Sequence, residues 1–394
     1  MNKKIDAFNN NKIKMPFVVP TINSSDKKEI MRALSSNLLT DGPNLRIFEK
    51  NFSSYTNSTF SVGVSNATSG LILSLKSLGI TKNDEVIIPD ITFVATANAV
   101  LTCGATPIIA DVNYDDLNIS IDSIKENITK KTKAIIPVHF AGRSCDMKKI
   151  MNIAKKYNLK IIEDCAHALG TYFEKKHVGT FGDTGCFSFY PTKNLTTFEG
   201  GMITCKSKSI SNSLQRSRNH GIDKSLQDRF TKGYPWEFDI QNFGYNYRLD
   251  EIRSALGSNQ LKRLNLMNSE RRSAAKYYNS QLKDVNDILL PSQNGSSKDS
   301  WHLYVIKIKN SSKTSRNSLF NYLLSKGIRT SVHYKPLHLF TIYKKEAKTY
   351  SSLKNSKKLY EEILSLPMFP GISKKQQNLV IDAIKQKITN KKNE

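Results

Sequence analysis

The sequence predicts an α/β protein in which a large, doubly wound, mostly parallel sheet precedes a smaller α+β domain. Two observations indicate the sheet: a series of short apolar runs rich in β-branched residues, and helical apolar spacings between several of them, such as Leu71, Ile72, Leu75 and Leu78. Short strands that alternate with helices and are apolar throughout are typical of parallel sheets covered on both faces. The predicted strands are SVGVS (61–65), EVIIPD (85–90), TPIIADV (106–112), KAIIPVHF (133–140), LKIIEDC (159–165), CFSFY (186–190) and GMITC (201–205).

A change of pattern after Tyr245 indicates the second domain. One helical pattern covers residues 249–282, and the polar segment SQNGSSKDS (292–300) follows it. The later elements are a strand (301–309), a helix (318–325), a strand IRTSVHY (328–334) and two further helices. We therefore predict a large domain over residues 1–250, whose first residues, about 20 of them, form an arm, and a small domain over residues 251–394.

Composition excludes several classes of protein. The chain has 394 residues, which is enough to bury a large core without disulfides or a structural metal. Its five cysteines are scattered and contain no CxxC pair, so we expect no zinc site and a reducing cytoplasm. The basic N-terminus lacks the apolar stretch of a signal peptide. Residues 91–110 carry no charge but are too polar to span a membrane, so we expect no membrane insertion.

The formal net charge of +25 allows more than one interpretation. The lysines and arginines are spread along the whole chain, and no recognition-helix, aromatic RNP or basic-arm motif accompanies them. We interpret most of the excess as solvated surface and expect no nucleic-acid partner. An anionic small substrate such as a nucleotide diphosphate is also compatible with this charge.

Three segments at predicted strand ends carry the candidate chemistry. The loop SNATSG (65–70) joins a strand to a helix, where backbone N–H groups and hydroxyls can bind a phosphate or simply cap the helix. Asp164 ends the buried strand IIED, where ligands bind in open α/β sheets, although an aspartate there can also cap a turn. Lys193 lies in the polar loop between two strands, shortly before the Gly200-Gly201 pair.

A phosphate site, a carboxylate and a lysine are together what pyridoxal 5′-phosphate (PLP) requires. The phosphate needs the helix terminus, and the pyridine nitrogen needs a carboxylate to stay protonated so that the ring accepts electrons. The aldehyde needs a lysine amine for its Schiff base. Phe93, which follows the strand EVIIPD, is available to stack on the ring.

The chain resembles the DegT/DnrJ/EryC1/StrS family of sugar aminotransferases, which have the fold of aspartate aminotransferase (fold type I). The matching stretches run in family order over about residues 40 to 371. They include DGPNLRIFEKNF, SVGVSNATSGL, IIPDITFVATANAVLTCGATPIIADV, IIPVHFAG, IIEDCAHALG, FGDTGCFSFYPTKNLTTFEGGMI, RNHG, GYNYRLDEIRSALGSNQL, SVHYKPLH and LSLPMFPG.

The resemblance implies a role for each matching position. Lys193 would form the internal aldimine and carry a proton between the substrate carbon and the cofactor. Asp164 would pair with the pyridinium nitrogen, His167 would contact the phenolic side of the cofactor, and Phe93 would stack on the ring. The phosphate contacts would come from Ala67, Thr68 and Ser188 of the same chain.

The resemblance also implies a homodimer, because Asn246 in GYNYR corresponds to an asparagine that reaches the phosphate of the neighbouring subunit. His333 and His338, in HYKPLH, correspond to a region near the sugar nucleotide. Two positions depart from the family pattern: Ala67 replaces the usual glycine of the phosphate loop, and Phe198 replaces a small residue before Glu199. We expect Phe198 to reshape the sugar pocket.

The predicted function is transfer of an amino group from L-glutamate to a keto group of a nucleotide-linked sugar, for amino-sugar biosynthesis in surface polysaccharide or related glycans. Two alternatives stay open. A PLP- or pyridoxamine-phosphate-dependent sugar dehydratase of the same family would carry histidine in place of Lys193. A regulatory protein that keeps the fold without turnover would have lost the lysine or Asp164, and both are present.

Overall fold

The computed structural model describes residues 13–224, 234–292, 297–309 and 314–389. The helices up to residue 224 are α1 (Ser24–Leu34), α2 (Pro43–Thr56), α3 (Ala67–Ser77), α4 (Ala95–Thr102), α5 (Ile121–Glu126), α6 (Met147–Tyr157) and α7 (Lys208–Ser217). The strands of this part are β1 (Phe60–Val64), β2 (Glu85–Pro89), β3 (Thr106–Ala110), β4 (Thr132–Ile135), β5 (Lys160–Asp164), β6 (Tyr172–Phe173), β7 (Lys176–His177), β8 (Thr184–Ser188) and β9 (Gly201–Cys205).

The rest of the described chain adds a second set of elements. Its helices are α8 (Glu251–Leu261), α9 (Leu264–Leu282), α10 (Arg316–Ser325), α11 (Thr341–Glu346), α12 (Lys354–Glu362) and α13 (Lys374–Thr389). Its strands are β10 (Ile288–Leu289), β11 (Ser297–Lys298), β12 (Tyr304–Ile308) and β13 (Ile363–Leu366).

The main sheet confirms the predicted fold class. Within the described residues it has seven strands in the order β1-β9-β8-β5-β4-β2-β3. Neighbours from β8 to β3 are parallel, whereas β9 is antiparallel to both β8 and β1. Every strand predicted in residues 61–205 is present within a few residues of its expected position.

Helices cover both faces of this sheet, as the doubly wound prediction requires. In β2, Val86 and Ile88 belong to one buried cluster, together with apolar residues of α3 and α4. Ile87 points to the opposite face and packs in a second cluster with residues of α2 and α6. Because successive side chains of a strand alternate between faces, an apolar run buried on both sides is explained by two helical layers.

The small C-terminal sheet has the order β10-β12-β13 and is antiparallel. Its core also contains Met15 from the N-terminal segment, whose backbone pairs with Ile328. Helix α9 contributes Leu264 to the core of the main sheet and Tyr278 to the core of the small sheet. Helix α8 packs on α1 and α2. The domain boundary near residue 250 stays a prediction.

Two local predictions were wrong. The helical pattern over residues 249–282 is two helices, which separate at Lys262 and Arg263, where Arg263 forms an ion pair with the buried Asp26. The segment 328–334 is not a strand: it makes single bridges at Ile328 and Ser331, and then enters the main cavity. Among the described residues, no helix is both long enough and apolar enough to span a membrane.

Candidate active site

A cavity of about 780 Å³ opens at the carboxyl-terminal edge of the main sheet. It brings together most of the residues that the sequence singled out. Of the predicted site residues, its wall contains Ala67, Thr68, Phe93, Asp164, His167, Ser188, Lys193 and His333.

The N-terminus of α3 forms one side of this cavity. Asn66 caps the helix, since its side chain accepts from the Ser69 N–H while the Ser69 hydroxyl accepts from the Asn66 N–H. The N–H groups of Ala67 and Thr68 precede the first intrahelical bond and lie in the cavity wall. A Cβ on Gly201 would lie 2.7–2.9 Å from the backbone of Asn66 and Ala67, so the backbone of β9 approaches this loop closely only because residue 201 is a glycine.

Asp164 ends β5 at the floor of the cavity. Its Oδ2 accepts 2.9 Å from the Thr96 hydroxyl, and its Oδ1 accepts 3.1 Å from the Ala166 N–H. Burial raises the pKa of this carboxyl group, whereas these hydrogen bonds and the nearby charge of Lys193 act in the opposite direction. A buried carboxylate with two donors and a facing cation is a partner for a protonated ring nitrogen.

Lys193 projects from the loop between β8 and β9. Burial lowers the pKa of its amine to about 8, and Asp164 opposes this shift. The next residue fixes the loop: Asn194 donates to Asn268 at 2.7 Å and to the Ser300 carbonyl at 3.0 Å, and its Oδ1 lies 3.2 Å from Nδ1 of His302. At neutral pH the amine is therefore unprotonated far more often than that of an exposed lysine, although the protonated form still predominates. Its loop is fixed by these hydrogen bonds, and both properties suit a nucleophilic lysine.

His167 lies beside this lysine with both ring nitrogens engaged. Its Nδ1 accepts 3.4 Å from the Ala141 N–H, and its Nε2 lies 2.9 Å from the hydroxyl of Tyr334. Burial lowers the pKa of His167 well below its ordinary value, and the charge of Lys193 adds to the shift. The imidazole is therefore neutral.

Phe93 and Ser188 also belong to the wall of the cavity. Phe93 is 57% exposed, with its ring centroid 5.9 Å from that of Tyr334, so its face is available to a planar ligand. Ser188 is the last residue of β8, and its hydroxyl accepts 3.4 Å from the Tyr190 N–H. Phe198 lies in the left-handed region at φ 65° and is exposed, and it does not contribute to the lining of the 780 Å³ cavity.

The remaining predicted residues occupy different positions. His333 lies in the cavity wall, stacks on Phe17 at 5.5 Å, and has Nδ1 2.9 Å from the Ser365 hydroxyl. His338 lies outside the lining of this cavity and pairs through Nδ1 with the buried Asp90 at 2.6 Å. Asn246 is exposed and also lies outside it.

Sequence reasoning missed Thr96 and Tyr334. Thr96 lies in an uncharged helix, where a threonine gives no signal of its own. In the structure its hydroxyl lies 2.9 Å from that of Thr92. Tyr334 stood next to His333 in the HYKPLH stretch, but a strand was predicted there, which would not have placed it in the cavity.

The described residues also contain a buried His-Glu-Cys group, formed by His139, Glu163 and Cys165. Nε2 of His139 lies 3.0 Å from Glu163, whose carboxylate also accepts from the N–H groups of Gly179, Phe181 and Gly182. Nδ1 of His139 accepts from the Cys145 N–H. The ring of His139 and the carboxylate of Glu163 are therefore already used in hydrogen bonds that fasten β5, and we interpret the group as structural.

The cavity fits PLP. The donors of Ala67 and Thr68 suit a phosphate, Asp164 suits a pyridinium nitrogen, and Lys193 suits an aldehyde, while the close approach of Gly201 leaves the phosphate loop unobstructed.

Comparison with known proteins agrees with this geometry. The model of the DegT/DnrJ/EryC1/StrS aminotransferase family matches residues 20–385. The chain is 34% identical over 374 residues to the spore coat polysaccharide biosynthesis protein SpsC of Bacillus subtilis, covering 94% of this chain and 96% of SpsC.

Solved structures of aminotransferases are similar over nearly the whole chain, and two examples follow. PseC of Helicobacter pylori, an aminotransferase involved in the biosynthesis of pseudoaminic acid, superposes with a TM-score of 0.89 at 29% identity, covering 95% of this chain and 99% of PseC. Spr1654 of Streptococcus pneumoniae, solved in its PLP form, has a TM-score of 0.87 at 29% identity and covers 96% of this chain and 99% of its own.

Proposed function

The chain belongs to the DegT/DnrJ/EryC1/StrS family of PLP-dependent sugar aminotransferases, and from this premise we propose that it transfers the amino group of L-glutamate to a keto group of a nucleotide-linked sugar. The observation that carries the proposal is the convergence of Lys193, Asp164 and the N-terminus of α3 on one cavity. PLP bound there supplies an electron sink that stabilises negative charge on the carbon next to the transferred nitrogen.

We assign the covalent attachment to Lys193. Among the described residues that line the cavity it is the one lysine, its charge interacts with that of Asp164, and burial lowers the pKa of its amine to about 8. When the amine of Lys193 is not bound to the cofactor, it would act as the base that takes and returns the proton at the substrate carbon. The hydrogen bonds of Asn194 fix the loop and so hold this amine in position.

The cofactor contacts follow from the wall of the cavity. Asp164 would hold the ring nitrogen, with Thr96 and Ala166 keeping its carboxylate ionised and oriented. Phe93 would stack on the ring. Ala67, Thr68 and Ser188 would bind the phosphate through N–H and O–H donors, and Asn66 fixes the helix end that presents two of them.

Three findings support a nucleotide-linked sugar as the acceptor. The cavity of about 780 Å³ is larger than PLP alone requires, and it stays open beside Phe93 and Tyr190. The formal net charge of +25 is compatible with an anionic diphosphate. The similar proteins SpsC and PseC are described as proteins of spore coat polysaccharide biosynthesis and of pseudoaminic acid biosynthesis, respectively.

We propose a homodimer with shared active sites. Asn246 is exposed and outside the cavity of its own chain, which suits a contact with the phosphate bound by a partner. The segment around it exposes large apolar side chains, with Trp236 at 71% and Phe243 at 77% exposure. Surface of this kind is typical of an interface between subunits.

The test is a half-reaction with the amino form of the cofactor. The protein carrying pyridoxamine phosphate is mixed in turn with keto sugars linked to different nucleotides and with the matching free sugars, and the return of the visible absorption band is followed. We expect rapid return with one nucleotide-linked sugar and amination of the sugar by mass spectrometry. Return of the band with free keto sugars only, or with 2-keto acids only, would contradict the proposal.

A further inference from the structure

A second cavity, of about 50 Å³, also has Lys193 in its wall, and we call it the side cavity. Thr192, His302 and His333 contribute polar groups to the same wall. A buried water molecule needs a cavity of roughly 10–15 Å³ or more and two to four polar partners. The side cavity therefore has the size and the chemistry of a water site, and it is too small for a cofactor or a sugar.

Two backbone carbonyls fix the orientation of the amide side chains next to this cavity. A carbonyl oxygen can only accept, so the 3.0 Å contact with the Leu169 carbonyl makes Nδ2 the donor atom of Asn268. For the same reason, the 3.0 Å contact with the Ser300 carbonyl makes Nδ2 the donor atom of Asn194, which also donates to Oδ1 of Asn268 at 2.7 Å. The oxygen of the Asn194 amide is therefore the atom that lies 3.2 Å from Nδ1 of His302.

This contact sets the tautomer of His302. An amide oxygen can only accept, so the proton of the ring lies on Nδ1. His302 is buried, and the titratable groups that face it are His167, Lys193, Arg271 and His333, none of which is a carboxylate. Burial and these groups lower the pKa of His302 well below its ordinary value, so the ring is neutral. Nε2 is therefore an acceptor, and in the part of the chain that the structure describes it makes no hydrogen bond.

We propose that the side cavity binds one water molecule, which donates to Nε2 of His302 and accepts from the amine of Lys193, and that His302 is thereby a positioning residue for this lysine. Thr192 and His333, in the same wall, offer further contacts to the water. The inference rests on the proposed role of Lys193 in the aminotransfer. Whenever this amine is not attached to the cofactor, the water holds it in one place between proton transfers, and Asn194 keeps the acceptor atom of His302 available.

The water has a measurable effect on the protonation of Lys193. Its oxygen accepts a hydrogen bond from the ammonium group, so loss of the water lowers the pKa of the amine further below 10.5 than burial alone does. We expect a fall of about one pH unit, which is roughly tenfold in the protonation equilibrium. The titratable groups that face Lys193 are Asp164, His167, His302 and His333. Burial lowers the pKa of each of these histidines, so Asp164 carries the charge near pH 8, and it stays in place in the variants below.

The first experiment follows acetylation of Lys193 against pH in the cofactor-free, full-length chain. His302→Phe should lower the midpoint by about one pH unit, because the ring no longer accepts from the water. His302→Gln should stay near the wild-type midpoint, because its amide oxygen is an acceptor. Val18→Ile adds one methylene group to the wall of the side cavity and should lower the midpoint by excluding the water. Val19→Ile is the matched control, since Val19 is exposed and lies outside this wall, and it should change nothing.

The second experiment needs no variant. In crystals of the wild-type protein with pyridoxamine phosphate, one water should lie within about 3.2 Å of both Nε2 of His302 and Nζ of Lys193. A side cavity without this water would overturn the proposal. So would an unchanged midpoint in both His302→Phe and Val18→Ile, or equal shifts in Val18→Ile and Val19→Ile. If borohydride reduction placed the cofactor on another lysine, the proposed function would fail, whereas the water and the midpoints in the cofactor-free chain would be unaffected.

Discussion

The Thr96 hydroxyl donates a hydrogen bond of 2.9 Å to Oδ2 of Asp164. Thr96 is fully buried and lies in α4, whereas Asp164 ends β5, so the bond joins a helix to the sheet beneath the cavity. Burial raises the pKa of Asp164, and the hydrogen bonds from Ala166 and Thr96 oppose this shift in part. This arrangement predicts that the hydrogen bonds from Thr96 and Ala166 determine what fraction of Asp164 is ionised.

Asp164→Asn should bind PLP and lose most transamination. The amide keeps the shape of the site and the contacts to the phosphate, but it cannot stabilise a protonated ring nitrogen. We expect kcat to fall about 100-fold or more, in the range seen when a preorganised electrostatic contact is removed. Cofactor content and steady-state turnover measure the two effects separately, and near wild-type turnover would show that another group holds the ring nitrogen.

Thr96→Val should give a smaller loss of the same kind. The methyl group fills the space of the hydroxyl, but Oδ2 of Asp164 loses its donor, and a hydrogen bond to a charged group is worth about 1.5–3 kcal/mol. We expect kcat to fall between wild type and Asp164→Asn, with the cofactor still bound. A turnover below that of Asp164→Asn would contradict this order.

The pKa of Lys193 predicts a pH dependence in the cofactor-free protein. Only the unprotonated amine is nucleophilic, so acetylation of Lys193 should increase with pH and reach half of its maximal rate near pH 8. In Asp164→Asn the midpoint should fall, because the carboxylate raises the pKa of the lysine. Peptide mass spectrometry measures the extent of acetylation of Lys193 in the wild-type protein and in Asp164→Asn, and the acetylation of the exposed Lys149 serves as the internal reference. A midpoint near 10.5, or an upward shift in Asp164→Asn, would refute the assignment.

The pair of Asp90 and His338 should contribute to the free energy of unfolding of the protein and not to binding of the cofactor. The buried carboxylate of Asp90 accepts from the His338 N–H at 3.0 Å and pairs with its Nδ1 at 2.6 Å, while its carbonyl accepts from the Leu337 N–H. These bonds fasten the segment that carries His333 and Tyr334 to the end of β2.

Asp90→Asn should lower the free energy of unfolding by about 2–4 kcal/mol, because one buried acceptor is replaced by a donor. Urea denaturation measures this. The control is Asp122→Asn, whose carboxylate is 84% exposed and pairs with Lys125 on the surface, and which should cause no measurable change. Equal stabilities of the two variants would mean that the Asp90–His338 pair contributes nothing.

The sequence predicted the main sheet well because each strand is a separate apolar run buried on both faces. It also predicted where Asp164 and Lys193 lie, since the ends of parallel strands converge on one edge of a sheet. It could not place Thr96 or Tyr334, because neither a threonine in an apolar helix nor a tyrosine in an apparent strand carries a local signal. The break at Arg263 was hidden for a similar reason: it depends on Asp26, 237 residues away in the chain.

The shared active site can be tested by complementation. Lys193→Ala removes the amine, and Asn246→Asp places a negative charge against the phosphate of the partner. If Asn246 serves the neighbouring chain, a mixed dimer has one intact site and one site with both defects. Co-refolding equal amounts should restore roughly a quarter of wild-type activity, because half of the dimers are mixed. If Asn246 served its own chain, every site would carry one defect, and co-refolding would restore no more than separately refolded controls.

The most direct test of the central claim is to locate the lysine that carries the cofactor. The holoprotein is reduced with borohydride, digested, and the peptide bearing the pyridoxyl group is sequenced by mass spectrometry. The site described above predicts that the group is on Lys193, in the segment between β8 and β9, and that the visible band disappears in proportion to the label. A pyridoxyl group on any other lysine, or no label after reconstitution with PLP, would contradict it.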